Sequence, residues 1–426
     1  MRIRLAAVAA WLAGCVLIGP ATAADRLTLD DAFARVAQSH PELRLVEARA
    51  TILAAERDRA AQRPPWSLGA EVENALGTGE TRALDRAELT LSLASVLERG
   101  GKLDARRALA QSRINALAVE RETRRLDLLA ETARRYLAVV AAQRTQALAA
   151  LDVEQRQRTV GAARQRLQAG ASPESVVLTA QAALARAELA RDRAAQQLSA
   201  ARQHLGALWN ERAPRFDAAG DPLALPTIAP LEALAAELER TPELVQFADA
   251  RRIGEARLQL ARSAAAPDLE WQVGVRRLQE SGDTALVAGV SLPLGTRARA
   301  QPEIRAAGAE LEALSIEREA KGMALYSTLV EAHGRYVVAQ AEVERLQRDV
   351  LPKLTRAEHA AERAYRAGAI SYLEWAQLQS EQTATRQQQL DVALDAQRAL
   401  IEIQRLTGQA FVTLPAAATP SGDATP

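Results

Sequence analysis

Apolar residues along this chain follow two different periods. Trp66, Leu68, Ala70 and Val72 alternate with Ser67, Gly69, Glu71 and Glu73, and Leu89, Leu91 and Leu93 again take every second place. Farther along, Leu269, Trp271, Val273 and Val275 alternate with Glu270, Gln272, Gly274 and Arg276, while Leu286, Ala288, Val290 and Leu292 share one face. A period of two predicts strands with one apolar face, placed here at 66–75, 86–96, 268–278 and 284–294. Elsewhere the period lengthens to that of a helix. Leu29 to Ala61 and Leu231 to Ala265 each predict one helix, stopped by Pro64-Pro65 and by Pro267. Lys102 to Gln168 has no Pro and almost no Gly, and predicts a single rod of about 100 Å at 1.5 Å per residue. Its counterpart runs from Ile304 to Ala367, mildly broken by Gly308, Gly322, Gly334 and Pro352. Gly170 and Gly368 then reverse the chain into return helices, Ser175 to Leu208 and Tyr372 to Leu406.

The two halves are copies of one unit. SHPELRLVEARATILAAERDRAAQRPPWSL returns as RTPELVQFADARRIGEARLQLARSAAAPDL, and RAELTLSLASV is echoed by TALVAGVSLPL. Ala118 to Glu122 returns as Ser315 to Glu319, Arg135-Tyr136 as Arg335-Tyr336, and Ala169-Gly170-Ala171 as Ala367-Gly368-Ala369. Five matches in one order, at an offset of about 200 residues, define an internal repeat. The organisation is therefore residues 1–24 as an export signal, 25–208 as the first repeat, a Pro-rich connector at 209–230, 231–410 as the second repeat, and a disordered tail at 411–426.

The signal reading rests on Arg2 and Arg4 ahead of an apolar run over residues 5–19, with Ala21-Thr22-Ala23 as a small-residue cleavage site. Leu12-Ala13-Gly14-Cys15 offers lipidation at Cys15 as the alternative, although Val16-Leu17-Ile18 continues the apolar core past it. The chain carries a net +1 from 54 basic and 53 acidic residues, and loss of Arg2 and Arg4 brings it to −1. This balance argues against a nucleic-acid partner, which requires clustered positive charge.

Four strands of nine to eleven residues have the length of tilted membrane strands, but four cannot close a barrel, and open edges in lipid leave backbone groups unpaired. The expectation is a homotrimer that pools about twelve strands around a watery lumen. Trp66 and Trp271 sit at equivalent strand starts, where membrane-interface aromatics belong. A soluble four-stranded sheet is the alternative, weakened because no other segment reads as a sheet core.

The order of helix, strand pair, long helix, turn and return helix, written twice, resembles the TolC-like outer-membrane efflux proteins over Leu27 to Gly408. LTLDDAFARVAQSHPEL resembles the start of that family and YRAGAISYLEWAQLQ its second hairpin. ERGGKLDARRALAQ and VGVSLPLGTRARAQPEIRAA are similar to segments of the cobalt–zinc–cadmium efflux branch. The resemblance implies a mainly α fold with a membrane β-barrel: a trimer with a 12-stranded barrel in outer-membrane lipid and an α-helical barrel through the periplasm. It also implies a periplasmic adaptor and an inner-membrane, proton-driven pump as partners. Adaptor-docking turns then fall on Ala169, Gly170 and Ala171 and on Ala367, Gly368 and Ala369, although Gly is wanted there simply to reverse the chain. Tyr365 matches a gate-side aromatic and Glu374 a constriction acid. Ile370 replaces the Arg usual in the family two residues after the turn glycine, which leaves its locking bonds without one partner.

Site chemistry of other kinds is missing. His40, His204, His333 and His359 are far apart, Met323 is the one Met beyond the signal, and no phosphate loop or nucleophile elbow occurs. The sequence predicts no cofactor, no metal site and no catalysis. Two rivals remain: a secreted coiled-coil structural protein, and a conduit of the same family serving drug efflux or type I protein secretion.

Overall fold

The computed structural model describes residues 25–411. The expected export signal, with Cys15, and all of the expected tail except Phe411 lie outside them.

The first repeat begins with strand β1 (Asp25–Leu27), helices α1 (Leu29–Ser39) and α2 (Pro41–Ala60), and strands β2 (Ser67–Glu73) and β3 (Glu88–Leu97). It continues with α3 (Lys102–Gln168) and α4 (Glu174–Gly206), and the connector holds strand β4 (Phe216–Ala218). The second repeat contains α5 (Leu231–Leu238), α6 (Pro242–Ser263), β5 (Leu269–Leu278), β6 (Thr284–Ser291), α7 (Thr296–Arg345), α8 (Leu351–Arg366) and α9 (Tyr372–Thr407).

Three expectations are corrected. The helices drawn as continuous over Leu29 to Ala61 and Leu231 to Ala265 are each two. His40 and Thr241 adopt extended backbone because the following Pro disfavours a helical residue before it. His40 caps α2, its Nδ1 accepting from the Glu42 N–H at 3.3 Å. Second, the long helix of the second repeat passes through Gly308, Gly322 and Gly334 without a break, but opens into a π turn at Leu346–Val350. Pro352 has no N–H to give and crowds the carbonyl four residues earlier, which the wider turn relieves. Third, a second sheet exists: β1 pairs in parallel with β4, Asp25 beside Phe216 and Leu27 beside Ala218.

The long helices pack side by side. Along α3, α2 covers the stretch near the strands, where Arg113 meets Glu56 at 3.7 Å, and α4 folds back along the stretch beyond. On another flank α3 contacts α6 and α9, which in turn contact α7, and α8 also packs on α9. Matching tyrosines tie the connector to this body. The buried Tyr136 hydroxyl lies 2.8 Å from the Leu27 carbonyl and 2.6 Å from that of Ala219, and Tyr336 donates to the Pro226 carbonyl. Apolar clusters around these two tyrosines form the main cores. Phe411 packs on Phe33 with ring centres 5.8 Å apart.

Candidate functional site

The four long strands form one antiparallel sheet in the order β2-β3-β5-β6. Register aligns like with like: Leu93 faces Leu68 and Val273, Leu91 faces Ala70 and Val275, and Val275 faces Leu286. Because side chains alternate, this register gathers the alternating Leu, Val and Trp positions on one face, while Val96 and Val287 fall on the other. The Leu and Trp face is open: Leu68 is 81% and Leu286 76% exposed. Burying nothing within its own chain, it requires an apolar environment supplied from outside. Trp66, just ahead of β2, and Trp271 in β5 meet edge to face on this surface with centroids 5.3 Å apart.

The other face is polar. Arg276 pairs with Glu73 and Glu88, each at 2.8 Å, and its Nε donates to Thr90 Oγ1 at 3.0 Å. Beside them Gly69, Ser92 and Gly274 form a row in register. A Cβ at Gly274 would lie 2.6 Å from the Leu91 carbonyl, so only Gly permits this approach. Among the described residues, strands β2 and β6 have no neighbour on their outer edges.

The sheet joins the helices through two left-handed glycines, Gly101 (φ 72°) and Gly295 (φ 77°), which precede α3 and α7. The Lys102 ammonium lies 2.7 Å from Asp268, and Arg106 forks onto Glu98. These contacts clamp the start of α3 to strand ends of both repeats.

At the opposite end lie the two reversing turns. Gly170 (φ 69°) and Gly368 (φ 83°) both occupy the left-handed region. The Ala171 N–H bonds the Arg166 carbonyl at 2.8 Å, and the Ala369 N–H bonds the Ala364 carbonyl at 2.9 Å, closing both helix ends in the same way. Ala169 and Ala367 are the capping residues of α3 and α8. The structure brings the two turns together through Arg166, a residue the sequence reading passed over. Its Nη1 donates to the Tyr365 carbonyl at 2.5 Å, its Nη2 to the Ala171 carbonyl at 3.2 Å, and its guanidinium lies 4.9 Å over the Tyr365 ring. The available signal was a cation in the last turn before a capping Gly.

Tyr365 is 2% exposed and packs against Trp375, ring centres 5.1 Å apart. Glu374 is exposed and forms a capping box with Ser371. The Ser371 N–H and then its hydroxyl bond the carboxylate and hold Glu374 below the ordinary carboxylate range. Behind them runs a buried polar seam. Trp375 Nε1 donates to Glu358 at 3.1 Å, Gln379 Nε2 lies 3.2 Å from the same oxygen, and Gln379 also bonds Thr159 of α3 at 3.0 Å. Among the described residues, no group of three His, Cys, Asp or Glu is placed to hold a metal, and no helix is long and apolar enough to cross a membrane.

A family model described as "Outer membrane efflux protein" matches residues 33–211 and again 233–409. The chain belongs to this family. The double match reproduces the internal repeat. It makes the protein an outer-membrane channel that extends into the periplasm, a passive conduit rather than an enzyme. The cobalt-zinc-cadmium resistance protein CzcC of Cupriavidus metallidurans is 29% identical over 321 residues, covering 74% of this chain and 75% of that one. Among solved structures, CusC, studied for its folding and transmembrane channel formation, aligns with a TM-score of 0.75 at 16% identity, covering 91% of this chain and 93% of that one. The open state of the Neisseria gonorrhoeae MtrE outer membrane channel aligns with a TM-score of 0.71 at 17% identity, over 89% of each chain.

Proposed function

We propose that three copies join β6 of one chain to β2 of the next, closing a 12-stranded barrel in outer-membrane lipid above an α-helical tunnel. The assembly conducts heavy-metal cations such as cobalt, zinc or cadmium outward from an inner-membrane, proton-driven pump and a periplasmic adaptor. One observation supports the assembly: a four-stranded sheet whose outer strands have unpaired edges among the described residues and whose apolar face is exposed. In this assembly the apolar face meets lipid and the Arg276 face lines the lumen. Unpaired edges are costly in hydrocarbon, and a sheet this narrow cannot bend round to meet itself. The metal cargo is supported by the likeness to CzcC, and a duct for such ions needs no site of its own. Conduction wants binding weak enough to let an ion leave.

In this reading Ala169-Gly170-Ala171 and Ala367-Gly368-Ala369 are the adaptor-docking turns. Tyr365 and Glu374 belong to the periplasmic gate, Tyr365 by packing the inner helix pair and Glu374 by its exposed charge. Trp66 and Trp271 mark the periplasm-side membrane interface. A deletion strain tests the cargo. It becomes sensitive to cobalt, zinc or cadmium and regains resistance with the intact gene. Sensitivity confined to dyes, detergents or antibiotics would transfer the conduit to drug efflux, and a failure of protein export would transfer it to secretion.

A further inference from the structure

One face of α7 is apolar and uncovered. Ile316, Met323, Val330 and Val337 recur every seventh residue and share a stripe about 30 Å long. Ala320, Ser327 and Gly334 place a small side chain between each successive pair. All seven are exposed, Ile316 at 68% and Met323 at 69%. Nothing in the chain asks for Gly334, since a Cβ there would meet no atom within 4 Å, although Gly weakens a helix interior. Helix α2 carries a matching stripe. Leu45 and Ile52, seven residues apart, are 64% and 57% exposed, with the exposed Ala48 between them and Ala55 beyond. Large residues separated by small ones let two helices interlock closely.

The internal repeat indicates what covers these stripes. Helix α6 lies on both rods, α3 and α7. Its counterpart α2 lies on α3, and among the described residues no comparable packing of α2 on α7 occurs. Burial differs to match. Ile253 of α6 and Val119 of α3 are half-buried, whereas Ile52 and Ile316, at the same places in the other repeat, are bare. The sheet leaves the same gap: β3 pairs with β5 across the repeats, while among the described residues the outer edges of β2 and β6 are unpaired. Helix α2 leads into β2 and α7 leaves β6, so the two bare stripes continue from the two bare edges. We propose that the α7 stripe receives α2 from a second copy of this chain, packed antiparallel as α6 packs on α3. Leu260 and Leu109 line one cleft at the sheet end of that packing. At its other end Arg405 bridges Glu243 and Asp127, at 2.6 and 3.3 Å. Carried over through the matched residues Pro242 and Pro41, and Ala118 and Ser315, this register sets Ile52 beside Ile316 and Leu45 beside Met323, to within a turn. Val330 and Val337 then fall to the neighbour's α4, as Leu137 of α3 shares a cleft with Leu400 and Ile401 of α9. The seam rests on the three-copy reading above and adds a helix contact to the strand joint.

The test uses two differently tagged full-length copies in one cell, one carrying Ile52→Cys and the other Ile316→Cys. Membranes are treated with a short bismaleimide, and native mass measurement of the wild type in detergent reads the oligomeric state separately. The expected product is a covalent dimer containing both tags. Either variant alone gives none, and neither does Ile52→Cys with Leu373→Cys, which is exposed at the far end of the rods. The double variant Ile316→Asp/Met323→Asp is expected to lose its trimer on heating at a temperature the wild type survives. Its circular dichroism stays helical, because both side chains are exposed within the chain and need no repacking. Ile316→Leu/Met323→Leu keeps the trimer. A mixed-tag dimer equally abundant with Leu373→Cys overturns the proposal, as does an Ile316→Asp/Met323→Asp trimer as heat-resistant as wild type. A trimeric wild type whose Ile52→Cys and Ile316→Cys copies do not link overturns the seam and leaves the conduit reading standing. A link in a protein that proves dimeric sinks the three-copy reading and leaves the seam standing, and a monomeric protein sinks both.

Discussion

Arg166 and Tyr365 lie 199 residues apart in the chain, yet the Arg166 guanidinium donates to the Tyr365 carbonyl at 2.5 Å and covers its ring. One side chain thereby ties the last turn of α3 to the last turn of α8, next to both reversing loops. Arg166→Ala removes two hydrogen bonds to carbonyls and a cation–π contact, a loss of about 1–3 kcal/mol. The tip loosens, and single-channel conductance in planar bilayers rises. Arg166→Lys restores the effect only in part, because an ammonium lacks the fork that reaches both turns. Unchanged conductance in Arg166→Ala would show that the tie does not restrain the gate.

Gly368 sits at φ 83°, where a side chain costs about 1–2 kcal/mol, and a Cβ there meets Arg166 Nη1 at 3.7 Å. Gly368→Glu is expected to abolish resistance while the trimer still assembles. Gly368→Asn, which tolerates the left-handed region, retains more of it. Normal resistance in Gly368→Glu at wild-type protein levels would remove the turn from the docking surface.

Tyr136 and Tyr336 hold the connector at equivalent places in the two repeats. Tyr136→Phe leaves the Leu27 and Ala219 carbonyls without the hydroxyl and lowers stability by about 1–3 kcal/mol in thermal unfolding. Burial raises the Tyr336 phenol from 10.0 to about 12. The folded state thus favours the neutral form, so this contribution is complete below pH 10 and is lost as the pH rises toward 12. Absorbance titration of the phenols, wild type against Tyr336→Phe, checks it. Ionisation of Tyr336 near pH 10 in the folded protein would contradict the burial.

On the polar face of the sheet, Arg276 balances Glu73 and Glu88. Arg276→Ala removes three positive charges from the lumen of a trimer and leaves the carboxylates. The reversal potential across a potassium chloride gradient then shifts toward cation preference, more strongly at low salt than at high. No shift at low salt would mean that this face does not line the ion path.

Titration of the purified protein with zinc, cobalt or cadmium is expected to give only weak, salt-sensitive uptake. A selective site needs three or four ligands converging at about 2.0–2.3 Å, and no such cluster occurs among the described residues. A saturable sub-micromolar site, formed by one residue repeated around the threefold axis, would reverse this expectation.

What the sequence determined by itself was the kind and order of most elements. Strand and helix periods are local properties: Leu89, Leu91 and Leu93 define a face wherever the strand goes, and the Pro-free run from Lys102 to Gln168 is a rod in any context. The repeat added the turns, because Gly170 and Gly368 recur in matching settings. Local pattern misled where it continued across a backbone obstacle. Apolar spacing runs on through His40-Pro41 and Thr241-Pro242, so each pair of helices read as one, although the Pro alone carried the contrary signal. Tertiary structure decided everything that depends on which distant segments meet. Three residues at Asp25–Leu27 are too few for any period and became a strand only beside Phe216–Ala218. The register that aligns Leu93 with Val273 is fixed by pairing across the repeats. Arg166 on Tyr365, and Gln379 on Thr159, are contacts between rods whose rotation about their own axes no single helix specifies, since it is set by how neighbouring faces interlock.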